Sequence, residues 1–318
     1  MKKLQIIVSH QHDPYLNLAV ETWLTDHQDR GTVTLYLWKN ERTVVIGLNQ
    51  NPFAECDVQR LNEEGGHLMR RRTGGGAVYH DLGNLNFSFI ADKNDYDVRR
   101  QLSVIQQALQ TFGLDTEVSG RNDLTCQGRK FSGNAFYNGP QNHLHHGTIL
   151  IKTDEERMQR YLTVNKAKLM KHGVQSVSSR VVNLSEIAPV TSDNIIPPLI
   201  QAFESTYAMN TSPIDFGQLA TLPEVKETVR RITSHDYLYA KWEHFKTTRK
   251  QQFPWGHVDM QIETDESLGV ISDIRIASDC LDTELIHQAE TLLTHQSLKE
   301  RPASDNEILN DLLNLIYP

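Results

Sequence analysis

The chain has 318 residues, 38% of them apolar and 23% charged, and carries a net charge of −8. Such a length calls for about two domains rather than one core. The charge is uneven: residues 251–318 hold 13 Asp/Glu against 3 Lys/Arg, and the preceding 250 hold 27 against 29. That jump marks a domain boundary, and neither part is basic enough for generic nucleic-acid binding.

In chain order, Leu4–Val8 reads as a first strand, and its apolar run is too short for a secretory or membrane-spanning segment. Asp13-Pro14 starts a helix: Asp caps, and Pro suits the first helical position. Thr32–Trp38 and Thr43–Ile46 read as a hairpin around Lys39-Asn40-Glu41-Arg42. A single helix is expected from Pro52 to about Glu64, stopped by Gly65-Gly66. After the short strand His67–Arg70 comes Arg70-Arg71-Arg72-Thr73-Gly74-Gly75-Gly76-Ala77-Val78-Tyr79-His80-Asp81. Leu85, Phe87 and Phe89 then alternate with Asn86 and Ser88, as in a half-buried strand.

Val98–Phe112 is an amphipathic helix ended by Gly113. The stretch Gly120–Ala135 reads as a hairpin turning at Gln127-Gly128, and His145–Ile151 as another strand. Helices follow at Glu155–Tyr161, Ser192–Tyr207 and Glu224–Ser234. Beyond residue 247, strands around Val258–Ile262 and Ile271–Ile276 flank a turn at Thr264–Gly269. Helices are expected at Asp282–Gln296 and Ser304–Ile316.

The glycine run lets a backbone approach a ligand closely, and successive amides can cradle an anion. Arginine adds fixed charge. A glycine turn beside a solvated basic face is the competing reading. Strands flank the run on both sides, which excludes a Walker or Rossmann phosphate loop. In the second polar stretch, Lys130 lies near the small residues Ser132, Gly133 and Ala135. An ammonium there could hold a carboxylate and a phosphate together. Asn122 could bind a ribose or base, and Asp123 could orient Lys130 or help hold Mg²⁺. An exposed turn with ordinary surface charge is the alternative. His143, His145 and His146 match no metal-ligand spacing, and Cys126 has no His or acid tied to it. The three scattered cysteines, Cys56, Cys126 and Cys280, fit a reducing cytoplasm.

Together these motifs resemble those of the lipoate–protein ligase A family. The likeness rests on Asp13–Glu21, Arg70–Asp81, Gly120–Leu124, Gly128-Arg129-Lys130 with Ser132-Gly133, His146-Gly147-Thr148, and Ser179-Arg180-Val181 with Asn183-Leu184. It implies an α+β fold. A catalytic domain of the biotin/lipoate-ligase type, with mixed sheets and helices, would span 1–246. A small α/β domain would span 247–318, and in this family it changes position during the catalytic cycle. It further implies an enzyme that joins lipoate to AMP from MgATP, then passes the lipoyl group to a lysine of an acceptor domain. The acceptors would be dehydrogenase E2 subunits or the glycine-cleavage H protein, with no nucleic acid and no membrane involved, and the enzyme a monomer. Carried over by position, Arg71, Gly76, Ala77, Val78 and Tyr79 would bind ATP or the adenylate, with Asn122 and Asp123 contributing. Lys130 would be catalytic and touch both the lipoyl carbonyl and the phosphate. Gly75, Val78 and Tyr79 would face lipoate, and Asp123 is the candidate for metal. Two rivals share these motifs: a cysteine-dependent octanoyl or lipoyl transferase of the same fold, and a non-catalytic module that binds lipoyl domains.

Overall fold

The structure, a computed structural model, describes residues 2–120, 122–163 and 181–317. Ser179 and Arg180 lie outside them. Fourteen strands, β1–β14, form three sheets among the described residues.

The largest sheet is mixed and eight-stranded. It contains β1 (Lys3–Val8), β2 (Thr32–Trp38), β6 (Asn84–Asp92), β7 (Thr116–Ser119), β8 (Asp123–Cys126), β9 (Arg129–Asn138), β10 (Asn142–Leu150) and β11 (Thr211–Pro213). Their spatial order is β11-β1-β2-β6-β10-β9-β8-β7. A second sheet has the order β4-β3-β5, with β3 at Thr43–Ile46, β4 at His67–Arg70 and β5 at Val78–His80.

Helices cover both faces of the large sheet. On one face Leu35, Leu37, Phe87 and Phe89 pack with Leu102, Ile105 and Leu109 of α4 (Val98–Gln110) and with Leu199 and Phe203 of the helix Ile196–Tyr207. On the other, Ile7, Tyr36, Trp38 and Ile90 pack with Leu18, Val20 and Leu24 of α1 (Pro14–His27). Asp13 caps α1 through hydrogen bonds from the amides of Tyr15 and Leu16, with Pro14 at the first turn.

This two-sided cover corrects two expectations. All nine residues of β6 are buried. The alternation of apolar and polar residues there separates two buried faces, not core from solvent. Nor do β2 and β3 form a hairpin: β2 pairs with β1 and β6, and β3 with β4 and β5. Both strands are buried throughout, so no polar face marked their parting. The expected helix from Pro52 is also two, α2 (Pro52–Glu55) and α3 (Val58–Glu63). Between them Cys56 bridges to Leu162 and Asp57 caps α3.

Near the C-terminus, strands β12 (Arg249–Phe253), β13 (Gly256–Asp265) and β14 (Val270–Ser278) form an antiparallel sheet. Helices Thr283–Leu293 and Glu307–Ile316 pack on it through Ile286, Leu293, Leu312 and Leu313, as a core of its own. This unit abuts the glycine run. A side chain at Gly74 would run into the Cys280 carbonyl and the Leu281 backbone. The Ser278 amide donates to Asn49 O at 2.9 Å, and Lys241 Nζ meets Glu290 Oε1 at 2.7 Å. Among the described residues no helix is long and apolar enough to cross a membrane.

Two histidines are enclosed in the larger part. His145 packs against Phe87, Phe89 and Phe136 and lies 2.9 Å from both Gln101 Oε1 and Asn134 Oδ1. Burial pulls its pKa from 6.5 to about 3. His80 is also lowered to about 3, by burial first and then by Arg71 and His146. Both rings are neutral in the fold near pH 7. An unfolded chain takes up protons near their ordinary value, so their contribution is complete above about 6.5 and lost as pH falls toward 3. Within that window each ring approaches about 1.4 kcal/mol of lost stability per pH unit. Urea midpoints should therefore drop between about pH 7.5 and about pH 5 by this linkage, and His145→Leu should flatten the slope. A midpoint constant across the range would contradict the neutral rings.

Candidate active site

The glycine run connects β4 to β5 and is held from inside by arginine. Arg71 is 6% exposed. Its guanidinium donates to Gly74 O at 2.7 Å, Gly76 O at 2.8 Å, Val45 O at 3.2 Å and Thr73 Oγ1 at 3.0 Å. Burial lowers its pKa to about 10, with Glu21 and Glu55 opposing, so it stays charged at neutral pH. Gly75 has φ 89°, a conformation that L side chains avoid. A Cβ on Gly76 would meet nothing within 4 Å, so the space beside this residue is open.

That space is one wall of a cleft whose empty space, open mouth included, is about 700 Å³. Gly75, Gly76, Ala77 and Val78 line it on the loop side, and Asn122, Lys130, Gly133, Asn134 and Ala135 on the hairpin side. Leu18, Trp38, Val45 and Met69 add an apolar lining, one each from α1, β2, β3 and β4. Such a cleft, with an apolar side and several polar groups converging on it, suits a small ligand with a polar end.

A bulge between Leu124 and Thr125 shifts the register of β8 against β9, so that Thr125 pairs with Lys130. Lys130 Nζ lies 2.7 Å from Asp123 Oδ1, with the two side chains 37% and 34% exposed. A Cβ on Gly133 would come within 2.9 Å of the same ammonium, so glycine there makes room for it. The Lys130 carbonyl accepts from the Val182 amide at 2.9 Å. Asn122 Nδ2 donates to Asn134 O at 2.5 Å, and Asn134 Nδ2 donates to Asn122 O at 2.8 Å. The amide nitrogen of Asn122 is thus engaged in the hairpin.

Most of the expected residues converge. Arg71, Gly75, Gly76, Ala77, Val78, Asn122 and Lys130 share the cleft, and Asp123 reaches it through Lys130. The Tyr79 side chain is a correction. Alternation along β5 turns Val78 and His80 to the cleft, while Tyr79 is 2% exposed and packs on Tyr161 of α5 (Glu155–Tyr161), ring centroids 5.7 Å apart. Arg70 and Arg72 do not line this cleft. Arg70 donates to carbonyls of Gly47, Leu48, Gln50, Tyr237 and Leu238. Arg72 pairs with Asp26 at 2.8 Å and stacks over Tyr137 at 3.9 Å. Trp38, Met69 and Leu18 were not singled out from the sequence. Each sits in an ordinary apolar pattern, and only tertiary structure decides which apolar residues face a cavity.

Cys126 is 2% exposed, lies outside the cleft, and has its thiol pushed up by burial and then by Asp115. That is the opposite of an activated nucleophile. No group of three His, Cys, Asp or Glu among the described residues could hold a metal ion.

Known proteins resemble this chain over most of its length. A family model described as the lipoyl protein ligase A/B catalytic domain matches residues 13–204, and one for the bacterial lipoate protein ligase C-terminus matches residues 243–309. The lipoate-protein ligase A of Bdellovibrio bacteriovorus is 39% identical, with 90% of this chain and 86% of that protein covered. That of Psychrobacter cryohalolentis is 35% identical, with 89% and 86% covered. Among solved structures, P. falciparum LipL1 in complex with lipoate superposes with a TM-score of 0.86 at 29% identity, covering 99% of each chain. A bi-partite lipoate protein ligase from Thermoplasma acidophilum, studied with its E2 lipoyl domain, gives a TM-score of 0.65 at 25% identity, covering 76% of this chain and 96% of the other. With its glycine loop, lysine hairpin and apolar cleft in these positions, the chain belongs to the lipoate–protein ligase A family.

Proposed function

We propose that this lipoate–protein ligase carries out both of its half-reactions in the one cleft. The carrying observation is that Lys130 and the open glycine loop share a cleft with the apolar side chains of Leu18, Trp38, Val45 and Met69. A carboxylate is a poor acyl donor, so it needs a leaving group before an amine can displace it. In the first step a lipoate carboxylate oxygen attacks the α-phosphorus of ATP; the new P–O bond forms as the bond to pyrophosphate breaks. In the second, an acceptor lysine amine attacks the carbonyl of lipoyl-AMP; the C–N bond forms and AMP leaves.

The alkyl chain and dithiolane of lipoate fit against Leu18, Trp38, Val45, Met69 and Val78. The phosphate end meets Gly75–Val78 with the Asn122 side, and Lys130 lies where acyl carbonyl and phosphate join. There its ammonium stabilises charge that develops during transfer. Asp123 orients that ammonium through the 2.7 Å pair. The carboxylate is thereby engaged, so magnesium is best written as the counter-ion brought by ATP. Arg71 acts on the phosphates through the loop it holds.

Residues 1–246 form the catalytic domain in this reading and 247–318 an accessory one. The acceptors are lipoyl domains, of dehydrogenase E2 subunits and of the glycine-cleavage H protein; the E2 lipoyl domain studied with the T. acidophilum ligase supports the first class. The enzyme is read as a monomer, and its three scattered, buried cysteines fit the reducing cytoplasm.

Lys130→Ala is expected to slow lipoate-dependent pyrophosphate release by about 100-fold or more, and transfer from supplied lipoyl-AMP with it. Wild-type rates in both assays would remove the role given to this lysine. Gly133→Ala is a gentler probe, since its methyl group displaces the ammonium without deleting it. A drop of roughly tenfold in adenylation at an unchanged melting temperature is expected from that misplacement. An unaffected rate would show that the position of the ammonium is not critical.

A further inference from the structure

A buried chain of hydrogen bonds runs from the apolar lining of the cleft to the glycine loop, through residues with no role so far. Trp38 Nε1 lies 3.0 Å from Ser88 Oγ, and Ser88 Oγ lies 2.5 Å from Glu21 Oε1. Glu21 Oε1 is also 2.9 Å from His146 Nδ1. His146 Nε2 is 2.8 Å from Thr73 Oγ1, and Thr73 Oγ1 is 3.0 Å from Arg71 Nε. Glu21, Ser88 and Thr73 are fully buried, and His146 is 8% exposed.

The distances let every link be satisfied at once. The Arg71 Nε–H donates to Thr73, and Thr73 Oγ1 in turn meets Nε2 of the His146 ring. The Nδ1–H of that ring donates to Glu21, which also accepts from Ser88, as Ser88 accepts from Trp38. Arg71 and Glu21 thus stand at opposite ends of one imidazole ring. Arg71 in turn fixes the loop by its bonds to Gly74 O and Gly76 O.

We infer that Thr73 and Glu21 are positioning residues, which act through His146 and Arg71 to hold the glycine loop in the shape that receives the nucleotide. Glu21 belongs to α1 and His146 to β10, so the loop is indexed against two rigid elements. The second oxygen of Glu21, Oε2, is buried and has no hydrogen-bond partner among the described residues. A half-satisfied buried carboxylate costs stability. Its presence is better explained by what its other oxygen holds in place than by any gain to the fold.

The inference rests on the reading that this loop binds the nucleotide, and the experiment separates the two. Thr73→Val keeps the shape and removes the hydroxyl, Thr73→Ser restores the hydroxyl, and Glu21→Gln keeps the shape and removes the charge. Two readouts are needed: amide exchange across residues 73–77 without nucleotide, and the KM for ATP against that for lipoate. Expected for Thr73→Val are faster exchange and a KM for ATP raised about tenfold, with the KM for lipoate within about twofold. Thr73→Ser should return both readouts close to wild type, and Glu21→Gln should shift them in the same direction as Thr73→Val by a smaller amount. Unchanged exchange in Thr73→Val, or a Thr73→Ser enzyme no better than Thr73→Val, would overturn the relay. Faster exchange with an unchanged KM for ATP would leave the relay standing as a loop clamp and overturn its service to the nucleotide. Should Thr73→Val not fold, Glu21→Gln decides on the same two readouts.

Discussion

Two guanidinium groups sit inside the larger part of this molecule, and the glycine loop is built around them. Removing a full charge from water is expensive unless hydrogen bonds replace the lost hydration. Arg70 obtains them from five main-chain carbonyls and Arg71 from three, plus the Thr73 hydroxyl. Burial lowers both pKa values to about 10, which leaves both charged at neutral pH. The requirement works in both directions. Loop carbonyls that face inward need donors, and buried arginines need acceptors. With its carbonyls turned toward Arg71, the loop keeps a fixed shape in the absence of a helix behind it.

This arrangement changes how an arginine-glycine motif is understood. From the sequence alone, three arginines beside three glycines suggest cations aimed at an anion. In the fold they have three different occupations. Arg70 ties the loop at 47–50 to the segment around Tyr237, Arg71 shapes the glycine run, and Arg72 joins Asp26 and Tyr137 at the surface. Lys130 is the cationic side chain that lines the cleft together with Arg71, and it is the more exposed of the two. A flexible ammonium held by one carboxylate can change position. A guanidinium anchored by four groups cannot. The two cations therefore differ in kind: one fixes a shape, and the other is a mobile charge beside it.

Much of this was legible in the sequence because local chemistry dictated it. Asp13-Pro14 capped a helix, Gln127-Gly128 turned a hairpin, and the glycine run sat between strands, as their residue types require. Failures arose where burial on two sides erased the polar face that a pattern needs. Thr32–Trp38 and Thr43–Ile46 were read as partners because both are apolar, yet they join different sheets. In the site, the loop and lysine were visible because glycine and charge are conspicuous. The apolar lining was not, because Leu18, Trp38, Val45 and Met69 look like any core residues. Tyr79 was assigned to the cleft through its neighbours, and the two-residue period of β5 turned it away. Glu21 gave the weakest signal, a single acid inside a buried helix face.

The small C-terminal unit bears on the same loop from outside. Its corner at Cys280–Leu281 lies so close to Gly74 that no side chain fits between them, and the Gly75 amide points at the Cys280 carbonyl over 3.4 Å. That separation exceeds an ordinary hydrogen bond, so the contact is one of shape more than of bonding. The loop is thus clasped by Arg71 on its inner side and covered by this corner on its outer side. The inner contacts are buried and charge-assisted, with four acceptors on one group. The outer ones are a close backbone approach and a few polar links, such as Lys241 with Glu290, whose lysine is 39% exposed. Contacts of the second kind open at much lower cost than those of the first. The loop can therefore keep its shape through changes at the outer contact, because the forces that shape it come from its inner side.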